Sequence, residues 1–308
     1  MNVNAPHLEA FLQKGPPLSS WLKSAQSWVD TALDANLPPP DTHPAVIHQA
    51  MRYACLNGGK RLRAILALSV CQAMGRDPTR ALRPALALEL FHAYTLVHDD
   101  LPCMDDDDLR RGKPATHIQF GEANALLAGD ALLTLACQWM AETHAPLPHS
   151  PNALVLELTT AGGSQGVIGG QVEDLAAESL PPDAARLIYI HSQKTARLIA
   201  CACKIGGICA GACPGKIDTL GQFGHHLGLA FQIIDDILDT TADTQVLGKP
   251  AGSDAQNQKL TTVSLWGLDR SRKEAGHHTE TARLLLESLD ADTLRLEQLT
   301  RHLLQRPC

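Results

Sequence analysis

The sequence predicts an all-α fold, and three observations carry that prediction. Ala and Leu, strong helix formers, dominate many stretches. Aromatic residues make up only 4%. Apolar residues recur at spacings of three and four, and few stretches alternate as strands do. The 308 residues, 44% hydrophobic and 19% charged, suffice for a sizeable core. No linker is long enough to divide the chain, so a single domain over residues 1–308 is expected, with the first 18 residues loosely ordered.

The helices follow in order. Trp21 to Ala35 is the first, ended by the Pro38-Pro39-Pro40-Asp41 loop. Ala45 to Leu56 stops at Gly58-Gly59, and Leu62 to Ala73 is followed by Gly75. Pro84 to Asp100 begins with proline at a favoured first position. Gly121 to Thr143 ends near the proline-rich stretch Pro146 to Pro151. Further helices are expected over Ala153 to Gly163, Asp183 to Cys203, Ile217 to Thr240 and after Lys259. Glu280 to Gln305 reads as an amphipathic helix, or a pair broken near Asp290.

Charge and composition exclude several classes. The net charge is −7 and no Lys/Arg block occurs, so nucleic acid is not an expected partner. No run of about 18 apolar residues could span a membrane, and Met1 to Ser20 lacks the pattern of a signal peptide. Nine cysteines show no framework; Cys201, Cys203, Cys209 and Cys213 cluster without a CxxC pair. Buried thiols on apolar helices in a reducing cytoplasm are expected, rather than a zinc site.

Chemistry is announced by carboxylates. Residues 99–108 read Asp-Asp-Leu-Pro-Cys-Met-Asp-Asp-Asp-Asp, six acids in ten positions. Gathered in one site they would repel, and a divalent cation would relieve that cost. Mg²⁺ suits oxygen ligands, taking one or two carboxylates beside phosphates and water. A solvated acidic loop is the alternative. On an ideal helix Asp99 and Asp105 would point roughly 120° apart, so they converge only if the helix breaks between them, and Pro102 is placed to break it.

A second set favours the metal reading. In Phe231-Gln232-Ile233-Ile234-Asp235-Asp236-Ile237-Leu238-Asp239, the residues Gln232, Asp235 and Asp239 form one polar stripe on an apolar helix. Such a stripe should line a cavity. Each acid pair precedes a Gly-Lys-Pro: Asp99-Asp100 with Gly112-Lys113-Pro114, and Asp235-Asp236 with Gly248-Lys249-Pro250. Two such units on separate helices could face one another.

Cations complete the pattern. Lys60, Arg61 and Arg63 follow the Gly58-Gly59 pair near a helix start, a favourable anion site. Arg110-Arg111 follows the acids directly, as neutralisation or as the other side of a diphosphate grip. His92 lies two turns before Asp99 on the same face, a phosphate contact or a satisfied core histidine. Lys194, Lys249 and Lys259 stand in polar loops or at helix ends.

These pieces, in this order, resemble the trans-prenyl diphosphate synthase family, most closely its bacterial farnesyl diphosphate synthases. The resemblance covers residues 52–268 and includes GGKRLR at 58–63, HDDLPCMDDDDLRRGKPATH at 98–117 and GGQVEDL at 169–175. It continues through KTARLI at 194–199, FQIIDDILD at 231–239 and LGKPAGSDAQNQK at 247–259. It implies the isoprenoid synthase fold, a ring of helices around a deep central cavity, and a homodimer.

The same resemblance implies that Asp99, Asp100 and Asp105 bind Mg²⁺ with the allylic diphosphate. Asp235 and Asp239 hold a further ion, about three in all. Arg110, Lys194 and Lys249 would grip the allylic diphosphate, and Lys60, Arg63, His92 and Arg111 the isopentenyl diphosphate, with Lys259 also in the substrate-binding set. Thr195 and Gln232 match positions near the developing carbocation, and Gln171 and Asp174 positions that support metal or its water. A bulky Tyr94 beside Thr95 suggests a fifteen-carbon product. Geranyl or geranylgeranyl synthases are the nearer alternatives. A terpene cyclase would not need GGKRLR, and a non-catalytic partner subunit would be expected to lack an aspartate motif.

Overall fold

The structure is a computed structural model and describes residues 5–13, 15–241 and 259–304. Helices carry the described residues almost throughout, as the sequence predicts. The exception is a two-stranded antiparallel hairpin, Leu109–Arg110 (β1) paired with Lys113–Pro114 (β2). The chain divides into two compact units, Met1–Leu68 with Asp77–His144, and Ser69–Arg76 with Ala145–Cys308. Among the described residues no helix is long and apolar enough to cross a membrane.

The first unit is organised on α5 (Leu82–Asp99), preceded by α1 (Ala5–Leu12), α2 (Leu18–Asn36), α3 (Ala45–Leu56) and the start of α4 (Leu62–Ala73). Both α3 and α4 have the bounds expected from sequence. Apolar residues lie on every face of α5, from Leu82 and Ala85 to Phe91 and Val97, which suits a central helix rather than a surface one. After the hairpin come α6 (Thr116–Phe120) and α7 (Glu122–Ala141). Ala125, Ala128, Gly129, Leu132 and Ala136 recur at three and four along α7 and are buried. The alanines and Gly129 among them let α7 pack closely on α5.

Within the stretch expected to be loose, α1 is anchored by one ring. Phe11 is 1% exposed, with its ring centroid 5.0 Å from Trp21 and 5.2 Å from Trp28. The Trp21 indole N–H also donates to the Phe11 carbonyl at 2.8 Å. Burial of such a ring contributes about 1.5–3 kcal/mol.

The second unit contains α8 (Ala153–Gly162), α9 (Val167–Ala177), α10 (Ala184–Ile190), a π-helical turn over His191–Ala196, and α11 (Arg197–Cys209). Then follow α12 (Pro214–Thr241), α13 (Thr262–Trp266), α14 (Leu268–Glu287) and α15 (Leu294–Leu304). The gap between α14 and α15 contains Asp290, where the sequence predicts a break. Helix α9, which carries GGQVEDL, is not among the helices expected from sequence.

Glycines set how closely this unit packs. A Cβ on Gly170 of α9 would meet the Lys194 backbone nitrogen at 2.4 Å, and one on Gly228 of α12 the Ala196 Cα at 2.5 Å. The π turn is thus clasped by two helices at positions that admit only hydrogen. Ile233, Ile234, Ile237 and Leu238 of α12 bury against Ala275 of α14. Cys201, Cys203 and Cys209 are buried free thiols. Burial pushes the Cys203 thiol up to about 12, so it stays a protonated, apolar side chain near neutral pH.

Candidate active site

The first acid cluster begins where α5 stops. Helix α5 ends at Asp99, and the chain turns back at once. The Leu101 amide donates to the His98 carbonyl at 3.2 Å, and the Asp105 amide to the Asp99 carbonyl at 2.8 Å. The break required between Asp99 and Asp105 is present, with Pro102 inside the turn. Asp99 and Asp105 are half-buried.

Asp100 has a different task in the apo chain. It is 2% exposed, and its Oδ1 accepts from Arg110 Nε at 2.8 Å and from a second guanidinium nitrogen. Arg110 on β1 also reaches Asp107 at 3.1 Å. Burial raises the Asp100 carboxyl despite the arginine. Burial also works against the Arg110 cation, but Asp100, Asp107 and Asp99 together outweigh it and raise its pKa. The hairpin therefore stands fixed beside the aspartates by a charge-assisted pair.

The cations of GGKRLR divide into two kinds. Arg61 is buried, in the left-handed region at φ 51°. Its Nε donates to Asp30 at 2.6 Å, its NH2 to the Cys55 carbonyl at 2.7 Å, and Glu89 lies 3.7 Å away. Glu89 also accepts the Ala64 amide at 3.1 Å in the first turn of α4. Arg61 is a structural clamp. Arg63 differs: its Nε is buried and finds no protein partner. Lys60 is exposed.

Arg111 joins this group from the β1–β2 turn. It donates to the Gly58 carbonyl, and its guanidinium lies where a Cβ on Gly59 would come within 2.7 Å. Gly59, at φ 124°, is needed on both counts. His92 sits among these cations. Burial, then Arg63, Arg111, Arg61 and Arg110, hold its pKa well below the ordinary value, so it is neutral. The pKa values of Arg63 and Arg111 are themselves lowered, by burial first. Such a crowd of positive groups is a receptor for a polyanion.

Tyr94 and Thr95 lie one turn back from Asp99. Tyr94 is buried, its ring edge-on to Phe91 at 4.7 Å and to His98 at 5.6 Å. Burial, then the Asp99 charge, push its hydroxyl up to about 12. The Thr95 hydroxyl donates to the His92 carbonyl at 2.8 Å.

In the second unit the π turn presents Lys194 and Thr195. A π turn adds a residue to the helical circuit and often marks a functional position. Lys194 Nζ meets Asp174 Oδ2 of α9 at 2.5 Å. Thr195 donates to Gln232 Oε1 at 2.9 Å, and Gln232 Nε2 donates to Asp236 Oδ1 at 3.2 Å. Asp236 Oδ2 accepts the Thr262 amide at 2.7 Å and hydroxyl at 3.0 Å, with His191 Nε2 at 3.5 Å. Asp236 is thus turned inward to fasten α13. Asp235 is half-buried and Asp239 is 4% exposed. Both amide atoms of Gln171 are buried without a protein partner. Lys259 is half-buried just before α13, whereas Lys249 lies outside the described residues.

Sequence reasoning missed the structural roles of Arg61, Glu89 and Thr262. Their partners lie 25 to 31 residues away, and no local pattern announces them. Among the described residues no three or more His, Cys, Asp or Glu side chains form a ready-made metal cage. The oxygen donors are carboxylates in ones and twos, the set Mg²⁺ takes when phosphate and water complete its shell. The residues fit an ion that arrives with a diphosphate.

The family model described as polyprenyl synthetase matches residues 44–298. The chain belongs to this family. It is 45% identical over 262 residues to geranylgeranyl pyrophosphate synthase 12, chloroplastic, of Arabidopsis thaliana, covering 83% of this chain and 72% of that one. It is 40% identical over 277 residues to the farnesyl diphosphate synthase of Geobacillus stearothermophilus, covering 89% and 93%. Among solved structures, an apo FPP/GFPP synthase from Zymomonas mobilis superposes with a TM-score of 0.82 at 35% identity, covering 93% of this chain and 98% of that one. This polyprenyl synthetase has the isoprenoid synthase fold and is a trans-prenyl diphosphate synthase, a transferase acting on allylic and isopentenyl diphosphates. The relatives make products of different length.

Proposed function

We propose that this polyprenyl synthetase joins isopentenyl diphosphate head to tail to dimethylallyl and then geranyl diphosphate, releasing farnesyl diphosphate. The observation that carries the product length is Tyr94, a buried ring braced between Phe91 and His98 one turn from Asp99. A ring braced on two sides resists swinging away from a growing chain. The geranylgeranyl reading is favoured instead by the identity to the plant synthases. Purified protein given Mg²⁺, isopentenyl diphosphate and dimethylallyl diphosphate separates the two. Phosphatase treatment should release a fifteen-carbon alcohol, and a twenty-carbon alcohol as main product would refute the farnesyl assignment.

In this reading Asp99, Asp100 and Asp105 hold Mg²⁺, Asp235 and Asp239 a further ion, about three in all. Mg²⁺ supplies neutralisation of charge on the leaving diphosphate. Arg110, Lys194 and Lys249 orient the allylic diphosphate. Lys60, Arg63, His92 and Arg111 bind the isopentenyl diphosphate, with neutral His92 donating a hydrogen bond, and Lys259 also binds substrate. Thr195 and Gln232 are fixed by their mutual bond, with polar atoms beside the developing cation.

The allylic carbon–oxygen bond breaks, and the isopentenyl double bond forms the new carbon–carbon bond. A proton then leaves, accepted by the released diphosphate. Preorganised charges in a water-poor site stabilise the separating ions. We infer that the chain acts as one catalytic domain. A cytoplasmic homodimer completes the proposal, supported by the exposed Ile118, Leu126 and Leu127.

A further inference from the structure

Four histidines gather where prenyl transfer has no use for them. His225 and His226 stand on α12, and His277 and His278 on α14, two helices packed together. The Nδ1 atoms of His226 and His278 are 2.9 Å apart, with ring centroids at 5.1 Å. The His225 ring lies 5.9 Å from that of His226, and the His277 ring 5.5 Å from that of His278. Three of the four are half-buried and His277 is exposed, so the cluster opens to solvent.

We propose that His226 and His278 chelate a late divalent transition-metal ion of the Ni²⁺ or Cu²⁺ kind, which clips α14 to α12. The spacing argues for it. Two imidazole nitrogens about 2.0–2.1 Å from a metal stand about 2.9 Å apart at neighbouring octahedral or tetragonal corners, against about 3.4 Å at tetrahedral ones. The observed separation is that of a hydrogen bond between the two rings; an ion in place of the shared proton would hold them at neighbouring corners of this kind, and imidazole suits these ions. Mg²⁺, which demands oxygen, would not compete. Among the described residues no set of three or more ligands encloses an ion, so this is a two-donor site completed by water.

The protonation state agrees with that geometry. Burial, then neighbouring imidazoles, lower His226 and bring His278 down to about 4. The groups that act on the cluster are the other histidines and, on His225, Arg197 of α11. Both rings are therefore neutral near pH 7, and the one proton shared between the two Nδ1 atoms moves to an outer Nε2 when the ion binds.

The test is titration of the full chain with Ni²⁺ near neutral pH by calorimetry, in saturating Mg²⁺. One Ni²⁺ per chain is expected, with affinity reduced roughly tenfold or more in His226→Gln and in His278→Gln. His302→Gln, an exposed histidine on α15, should bind as the parent does. Equal affinity in parent and both variants would overturn the proposal, as would displacement of Ni²⁺ by Mg²⁺. Should a variant fail to fold, diethylpyrocarbonate labelling of the parent chain decides. Ni²⁺ should protect His226 and His278, and equal labelling with and without the ion would overturn the site. The outcome is independent of prenyl transfer.

Discussion

The Asp105 amide bonds the Asp99 carbonyl across 2.8 Å, so two acids six apart in sequence leave one tight turn together. Loss of either charge should weaken the hold on Mg²⁺. For Asp105→Asn, removal of one charge-assisted contact worth about 1.5–3 kcal/mol should raise the Mg²⁺ needed for half-maximal rate roughly ten- to hundredfold. An unchanged Mg²⁺ requirement would count against Asp105.

Arg61 and Lys60 adjoin in sequence but should respond in opposite ways. Arg61 and Glu89 are 3% and 4% exposed, and removal of one partner from a buried pair costs roughly 3–5 kcal/mol. Arg61→Ala should lose that much in urea unfolding. Lys60→Ala should stay within about 0.5 kcal/mol of the parent while its KM for isopentenyl diphosphate rises. Equal stability of the two variants would contradict the division of roles.

Gly129 makes room for His98. A Cβ there would fall 2.1 Å from His98 Nε2, and overpacking of this kind costs about 1–3 kcal/mol. Gly129→Ala should lower the melting temperature and, by displacing His98 from Tyr94, broaden the product distribution. A variant with unchanged melting and product would argue against the brace.

Tyr94→Ala removes the braced ring itself. Products longer than fifteen carbons are expected from this variant by chromatography of the dephosphorylated alcohols. An unchanged chain length would sink the assignment of Tyr94.

Protonation of His92 should cost stability in acid. Burial, then Arg63 and the other arginines, hold its folded pKa well below 6.5, so below pH 6.5 the unfolded chain binds the extra proton. Stability then rises with pH from the folded pKa up to 6.5, by at most about 1.4 kcal/mol per unit for this one group. Urea unfolding as a function of pH should show that slope, reduced in His92→Asn. An identical slope in the variant would contradict the assignment.

Much of this was legible in the sequence, and particular residues show why the rest was not. Helices α3 and α4 could be bounded because their punctuation is local: Gly58-Gly59 after one and Gly75 after the other. The break after Asp99 followed from helical geometry and one proline. Helix α9 went unseen because Gly169-Gly170 dilutes its period, and Gly170 is there for a close approach to the π turn. The turn itself has no sequence mark, since one added residue leaves the apolar pattern on either side intact. Asp100 and Asp236, drawn inward by Arg110 and Thr262, read identically to their neighbours Asp99 and Asp235. Their roles depend on partners that only the folded chain supplies.

The most direct measurement is condensation of labelled isopentenyl diphosphate by the parent, Asp99→Ala and Asp235→Ala proteins at matched, verified folding. Loss of either carboxylate should slow turnover by roughly 10²–10³-fold, as removal of one preorganised electrostatic group does elsewhere. Near-parental turnover in either variant would contradict a reaction that needs both aspartate motifs.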